Sequence, residues 1–188
     1  MVKKKEEESG LNVININCDG DTYLTVLAID FDENTEVEFS QNIIEQNHSI
    51  VLKPFDGELT AKNSDNRINA QGVMVDWQDT EDYMTWKFIC REPGEYKVVL
   101  TTAAVLFERP WRGGHKAFLT VNDKAYPLVD IVNDGDVKEA GEIWRQAITN
   151  LGTVKLDKIG ENTLKIKADY IAPDTPGFAL VKLLLEKI

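Results

Sequence analysis

The chain has 188 residues, with 32 acidic against 21 basic side chains and a formal net charge of −11. That length makes one domain, or one domain with an appendage, and it can bury a core without disulfide or metal staples. The acidic balance repels a phosphate backbone and argues against a nucleic-acid partner, and no apolar run reaches the length of a membrane span.

Residues 1–10 form a charged block without apolar periodicity and read as a disordered tail or a cloning remnant. Lys3-Lys4-Lys5 is followed by Glu6-Glu7-Glu8, where a signal peptide needs an apolar stretch. The chain is therefore expected to be cytosolic, or a fragment of a longer exported protein. Val13, Ile14 and Ile16, a turn at Asp19-Gly20-Asp21, and the run from Tyr23 to Phe31 read as two strands, with Gln41 to His48 a polar connector. Residues 11–48 are assigned to the end of a preceding domain and 49–188 to the main domain.

Ser49 to Lys53 is a short strand limited by Pro54. Lys62 to Gly72 is rich in turn formers, and Val73, Val75 and Trp77 alternate at a strand rim. From Tyr83 to Cys90 the apolar Met84, Trp86, Phe88 and Cys90 alternate with Tyr83, Thr85, Lys87 and Ile89. Pro93-Gly94 breaks the run, and Tyr96, Val98 and Leu100 resume it. The simplest product is an antiparallel hairpin with Trp86 and Phe88 in the core.

Phe107 to Lys116 is a loop. Ala117 to Val121 and Tyr126 to Val132 flank an Asn122-Asp123 turn. Asn133 to Gly141 is a second polar loop. Strands follow at Trp144 to Thr149, Gly152 to Leu156 and Leu164 to Ala168. After a third loop from Tyr170 to Gly177, Phe178 to Leu185 closes the chain. No stretch keeps a helical period. Short strands separated by turn signals predict an all-β, antiparallel sandwich of jelly-roll type. Cys18 and Cys90 read as free thiols unless geometry brings them together, and two histidines make a His/Cys zinc site a poor expectation.

Four segments taken in order, WKFICREPGEYKVVLTTA, AFLTVNDKAYPL, ITNLGTVKLDKIGENTLKIKA and GFALVKLLLEKI, resemble the galactose-binding-domain-like, carbohydrate-binding sandwiches joined to glycoside hydrolases. Upstream, TYLTVLAIDFDENTEVEF resembles the stretch closing the catalytic region of bacterial α-L-fucosidases. The likeness implies the C-terminal, non-catalytic portion of such an enzyme. The fucosidase (β/α)8 barrel needs more residues than are present, so no catalysis is expected of this chain by itself. It further implies a periplasmic or extracellular, secreted parent hydrolase, and as partners the parent catalytic domain and a glycan, fucosylated or galactose-containing. The alternative is a docking or oligomerisation sandwich with no sugar affinity.

Sugar recognition uses flat apolar rings and fixed polar groups. Trp111, in a glycine-containing loop with Arg109, Arg112 and His115, is the leading candidate; its alternative is a loop anchor. Trp77 at a strand rim and Trp144 after a polar loop are further candidates, while Trp86 is assigned to the core. Asp130, Asn133, Asp134 and Asp136 crowd around Gly135 and could offer oxygen ligands to calcium, although such clusters usually make turns. Relatives of this sandwich often carry a structural calcium held in part by an acidic residue of the first strand. Here Phe55 stands in that place, with Asp56 and Glu58 nearby, which puts that ion in doubt.

Overall fold

A computed structural model describes residues 3–6, 12–15, 43–62, 67–104, 111–137, 145–175 and 177–188. The chain divides into two compact units, Met1–Phe39 and Ser40–Ile188. In the first, β1 (Lys3–Glu6) pairs antiparallel with β2 (Asn12–Asn15). The charged block expected as a structureless tail thus contains a paired strand; a ladder is built from backbone groups and forms without apolar alternation. The expected turn at Asp19–Asp21 and the strand from Tyr23 to Phe31 lie outside the described residues, as does Cys18.

In the second unit the strands are β3 (Ile43–Ile44), β4 (Ser49–Leu52), β5 (Glu58–Thr60), β6 (Met74–Trp77), β7 (Tyr83–Cys90), β8 (Gly94–Ala103) and β9 (His115–Val121). They continue as β10 (Lys124–Ala125), β11 (Val129–Ile131), β12 (Gly135–Asp136), β13 (Gln146–Leu156), β14 (Gly160–Tyr170) and β15 (Phe178–Lys187). A 3-10 turn, Pro54–Asp56, follows β4. The first sheet runs β10-β9-β14-β7-β3, with β11 also on β9 and β5 also on β7. The second runs β12-β13-β8-β15-β4, with β6 also on β15. All pairings are antiparallel except β3 with β7. The fold is an antiparallel jelly-roll sandwich.

Period-two burial runs through the long strands. Met84, Trp86, Phe88 and Cys90 of β7 and Leu164, Ile166 and Ala168 of β14 meet Tyr96, Val98 and Leu100 of β8 and Leu180, Leu183 and Leu185 of β15 in one core. Trp86 is 1% exposed, and its indole N–H donates to the Lys53 carbonyl at 2.6 Å, so the ring buries its area without stranding its polar atom. Cys90 is a buried free thiol whose pKa burial pushes up.

Two expectations are corrected. The segment from Tyr83 to Leu100 is not a hairpin: β7 pairs with β14, β3 and β5, whereas β8 pairs with β13 and β15. Arg91-Glu92-Pro93 carries the chain from one sheet to the other. Crossing between layers turns both apolar faces inward as well as a hairpin would, so alternation fixes the face of a strand but not its partner. The connector from Gln41 to His48 likewise contains β3, parallel to Phe88 and Ile89, and the Glu45 N–H extends that ladder to the Ile89 carbonyl at 3.0 Å.

Candidate functional site

Register places one set of connections at one end of the sandwich. Thr60 pairs with Tyr83, Lys116 with Tyr170, Gln146 with Ala103, Ala103 with Ala179, and Trp77 with Phe178. The links leaving Thr60, Trp77, Ala103 and Tyr170, and the one entering Gln146, therefore share an end. The opposite end is closed by short turns and by the crossover at Arg91-Glu92-Pro93.

The candidates from the sequence separate at this end. Trp77 is 0% exposed and stacks on Phe178, with centroids 4.9 Å apart and planes 17° apart. Its indole N–H donates to the Asp79 carbonyl at 3.2 Å. Trp77 is core rather than rim. Asp76 beside it has φ 55°, and this left-handed residue breaks the alternation, so that Met74 and Trp77 both turn inward.

Trp111 is half-buried against the core, and its indole N–H donates to the Thr102 hydroxyl at 2.9 Å. A Cβ at Gly113 would sit 2.6 Å from the Ile131 carbonyl oxygen and 2.8 Å from the Trp111 ring, so only glycine lets the loop pass there. These contacts fit the loop-anchor alternative and leave the residue partly exposed. Arg112 is exposed and donates to the Asp174 carbonyl at 3.3 Å.

His115, expected to grip a ligand beside Trp111, is instead fully buried, 5.3 Å from the Phe178 ring. Its Nδ1 accepts the Ala172 N–H at 3.2 Å, so the ring proton belongs on Nε2, which has no partner among the described residues. Burial pushes its pKa below 6.5, outweighing the Arg112 backbone carbonyl, so the ring is neutral at pH 7. Arg109 and Trp144 lie outside the described residues.

A feature not singled out from the sequence is a cleft of about 530 Å³ lined by Lys62, Arg67, Asp76, Gln78, Asp79 and Asp82. Asp82 is 1% exposed and pairs with Arg67 at 3.1 Å. The same guanidinium donates to the Val75 carbonyl at 3.1 Å and to the Asp76 carbonyl. Arg67 thus ties its loop to β6 and to the entry of β7, with each of its three side-chain nitrogens donating to protein. Lys62 and Asp79 form the open wall, 3.3 Å apart. The Glu81 N–H, then Lys62, hold the Asp79 carboxyl below 3.8. The signal available in the sequence was the acidic run from Asp76 to Asp82 after an arginine-bearing turn.

The calcium candidates are engaged separately. Asp130 pairs with Lys116 at 3.4 Å, and Asp134 accepts the Asn150 N–H at 2.7 Å. Asp136 accepts from Asn133 at 2.9 Å and faces Arg145 at 3.7 Å. The Asn133 side chain also accepts the Gly135 N–H at 3.0 Å, so the cluster is a hydrogen-bonded turn. Asp56 lies apart, near Ile43 and Val51.

Among the described residues, the group whose ligand atoms lie within 4.8 Å of one another is Glu45, His48 and Glu92, at the opposite end. There Glu45 accepts the N–H groups of Arg91 and Glu92 at 2.7 and 2.9 Å. Glu92 accepts from Lys187 at 2.7 Å and lies 3.2 Å from His48. The Lys187 ammonium already supplies the positive charge a metal would bring. Its hydrogen bond chiefly, with His48 adding to it, lowers the Glu92 pKa from 4.5.

No protein-family model matches the sequence, and no curated protein sequence matches it. Among solved structures, an α-L-fucosidase from Vibrio sp. superposes with a TM-score of 0.53 at 15% identity over 77% of this chain. The likeness is one of fold. The chain spans 24% of that fucosidase, so the match is to one part of a larger enzyme. A family 35 carbohydrate-binding module from Clostridium thermocellum aligns over 74% of this chain and 98% of its own, at 18% identity and a TM-score of 0.46. A carbohydrate-binding module of Cellvibrio mixtus lichenase 5A, in complex with cellotriose, aligns over 73% and 96%, at 16% identity and 0.43. The resemblance read from the sequence thus has a structural counterpart in the fucosidase.

Proposed function

We propose that this chain is a non-catalytic carbohydrate-binding domain, the accessory part of an exported α-L-fucosidase-like glycoside hydrolase, and that it binds a fucosylated or galactose-containing glycan at the loop end. The observation that carries the reading is the open wall of Lys62 and Asp79 in one cleft with the buried Arg67–Asp82 pair. Each sugar hydroxyl both donates and accepts, and an ammonium beside a carboxylate matches that pair of demands. The partly exposed Trp111 stands at the same end.

Calorimetry on a panel of fucosylated and galactose-containing oligosaccharides tests this. Asp79→Asn keeps an acceptor for the Glu81 N–H and should weaken binding about tenfold, the worth of one charge-assisted hydrogen bond. Trp111→Ala should weaken it further. Absence of binding to the whole panel, or unchanged affinity in both variants, would reject the reading.

A second reading has its own support. On the outer face of the second sheet Val51, Leu184 and Val99 stand side by side in register, and Phe55 beyond β4 is 68% exposed. Such a row suits docking on a neighbouring protein surface. If docking is the role, the wild type should bind no sugar of the panel and Leu184→Lys should abolish co-migration with the catalytic domain.

A further inference from the structure

The outer face of the second sheet carries a charge pattern that inverts about its centre. Because Leu183 and Leu185 of β15 point into the core, Lys182, Leu184 and Glu186 point outward. Register sets Leu184 in a transverse row between Val51 of β4 and Val99 of β8. Asn150 of β13 continues that row past Val99. Glu186 lies one row nearer the crossover end, beside Lys97. Lys182 lies one row nearer the loop end, beside Thr101 and then Ile148.

The middle row is uncharged. Val51 is 39% exposed, and Leu184 and Val99 are half-buried, so apolar surface stays open to water across three adjacent strands. The charges flank it. Lys182 and Glu186 stand on opposite sides of Leu184, each about 7 Å along the strand. Lys97 is the neighbour of Glu186, and Asp56 shares a cleft with Lys182. Among the described residues, neither Lys182 nor Glu186 has an opposite charge within ion-pairing distance.

We propose that a second copy of this chain docks on this face, about a twofold axis that crosses β15 at Leu184 at right angles to the strand. That rotation reverses β15. Leu184, Val51 and Val99 then each meet their own counterpart, and each Lys182 meets Glu186 of the other copy. Packed sheets lie about 10 Å apart and cross at about 30°, which shifts a position about 7 Å from the axis sideways by about 4 Å. A lysine and a glutamate together span that gap. The order of lysine, leucine and glutamate on β15 is complementary to itself read backwards, which is what a twofold contact needs and an unrelated surface does not supply. The contact also sets opposite charges together on a chain of net charge −11, whose copies otherwise repel. The apolar row spans about 10 Å, which puts the contact among small, reversible interfaces. The row is thus committed to a second copy rather than to a catalytic domain, and the dimer stands whether or not the loop end binds sugar.

The test is sedimentation equilibrium of the full chain at up to about 1 mM, the weak limit of specific association. The wild type should show a monomer–dimer equilibrium. Lys182→Glu alone and Glu186→Lys alone should each weaken it roughly tenfold or more, because like charges then face each other. The double variant K182E/E186K should recover the wild-type equilibrium. An equimolar mixture of the two single variants should form a mixed dimer although neither associates with itself. A wild type that stays monomeric throughout would overturn the proposal, as would a dimer that neither single variant weakens, or no recovery in both the double variant and the mixture. Capture of the catalytic domain by a chain that stays monomeric would overturn it in favour of the docking reading. Charge-dependent dimerisation without binding to any sugar of the panel would support it and reject the loop-end reading. Circular dichroism of each variant guards against loss of fold, and these outward-facing substitutions leave the core untouched.

Discussion

The two ends of the sandwich solve the same problem in opposite ways. At the loop end, Arg67 is tied to the strands beside it by charge buried in protein: Asp82 is 1% exposed and Arg67 14%. At the other end, a tight crossover is held by one buried carboxylate, Glu45, on two backbone N–H groups, with the Glu92–Lys187 pair open to water outside it. A buried ion pair is a weak source of net stability, but removing one member strands the other. Such a pair anchors Arg67 against β6 and the entry of β7, which suits a surface that must present polar groups in set positions.

Substitutions at the two ends sharpen or break that contrast. Asp82→Ala should have the largest effect, about 3–5 kcal/mol of unfolding free energy by urea denaturation, because Arg67 loses its counter-charge. Glu45→Gln should come next, at about 1–3 kcal/mol, since two N–H groups lose a charged acceptor. If Glu45→Gln proved the costlier, the single carboxylate of the crossover would hold its end more firmly than the buried pair holds the loop end.

The pH dependence gives a finer test. The pKa of His115 is depressed on folding, so the unfolded chain binds the proton more readily, and stability falls as pH drops below about 6.5. Protonation would also set an Nδ1–H against the Ala172 N–H. His115→Asn should flatten the slope of the midpoint urea concentration between pH 7 and 5. Glu92 also has a depressed pKa, so its contribution is present above about 4.5 and fades only below that. Glu92→Gln should therefore cost a little stability at neutral pH, a loss that fades in acid as the wild-type carboxyl protonates, the smallest effect of the set.

Much of the sandwich was legible because alternation is a strong signal where one face is buried. Met84, Trp86, Phe88, Tyr96, Val98 and Leu100 were assignable to a core from spacing alone. Partnership was not legible, since the same pattern serves a hairpin and a crossover between sheets, and the tight turn at Pro93-Gly94 is common to both. Trp77 misled for a local reason: the left-handed Asp76 resets the register within a four-residue strand, which propensity does not reveal. His115 misled because its loop composition suggested exposure, while its neighbour in space, Phe178, is far away in sequence. The Arg67–Asp82 cleft joins residues fifteen positions apart across a turn-rich loop, and nothing in their spacing demands that they meet.

The short parallel strand β3 has a practical consequence. It and β5 cover the same margin of β7, at Phe88–Ile89 and at Tyr83–Thr85. A version trimmed to begin at Ser49, the boundary that composition alone suggests, would bare the Phe88–Cys90 backbone and remove Glu45 with it. Unpaired strand margins recruit further copies of themselves. Such a trimmed protein should precipitate on concentration, while one retaining residues from Ser40 onward should stay dispersed, so the usable boundary for expression lies several residues earlier than the polar stretch implies.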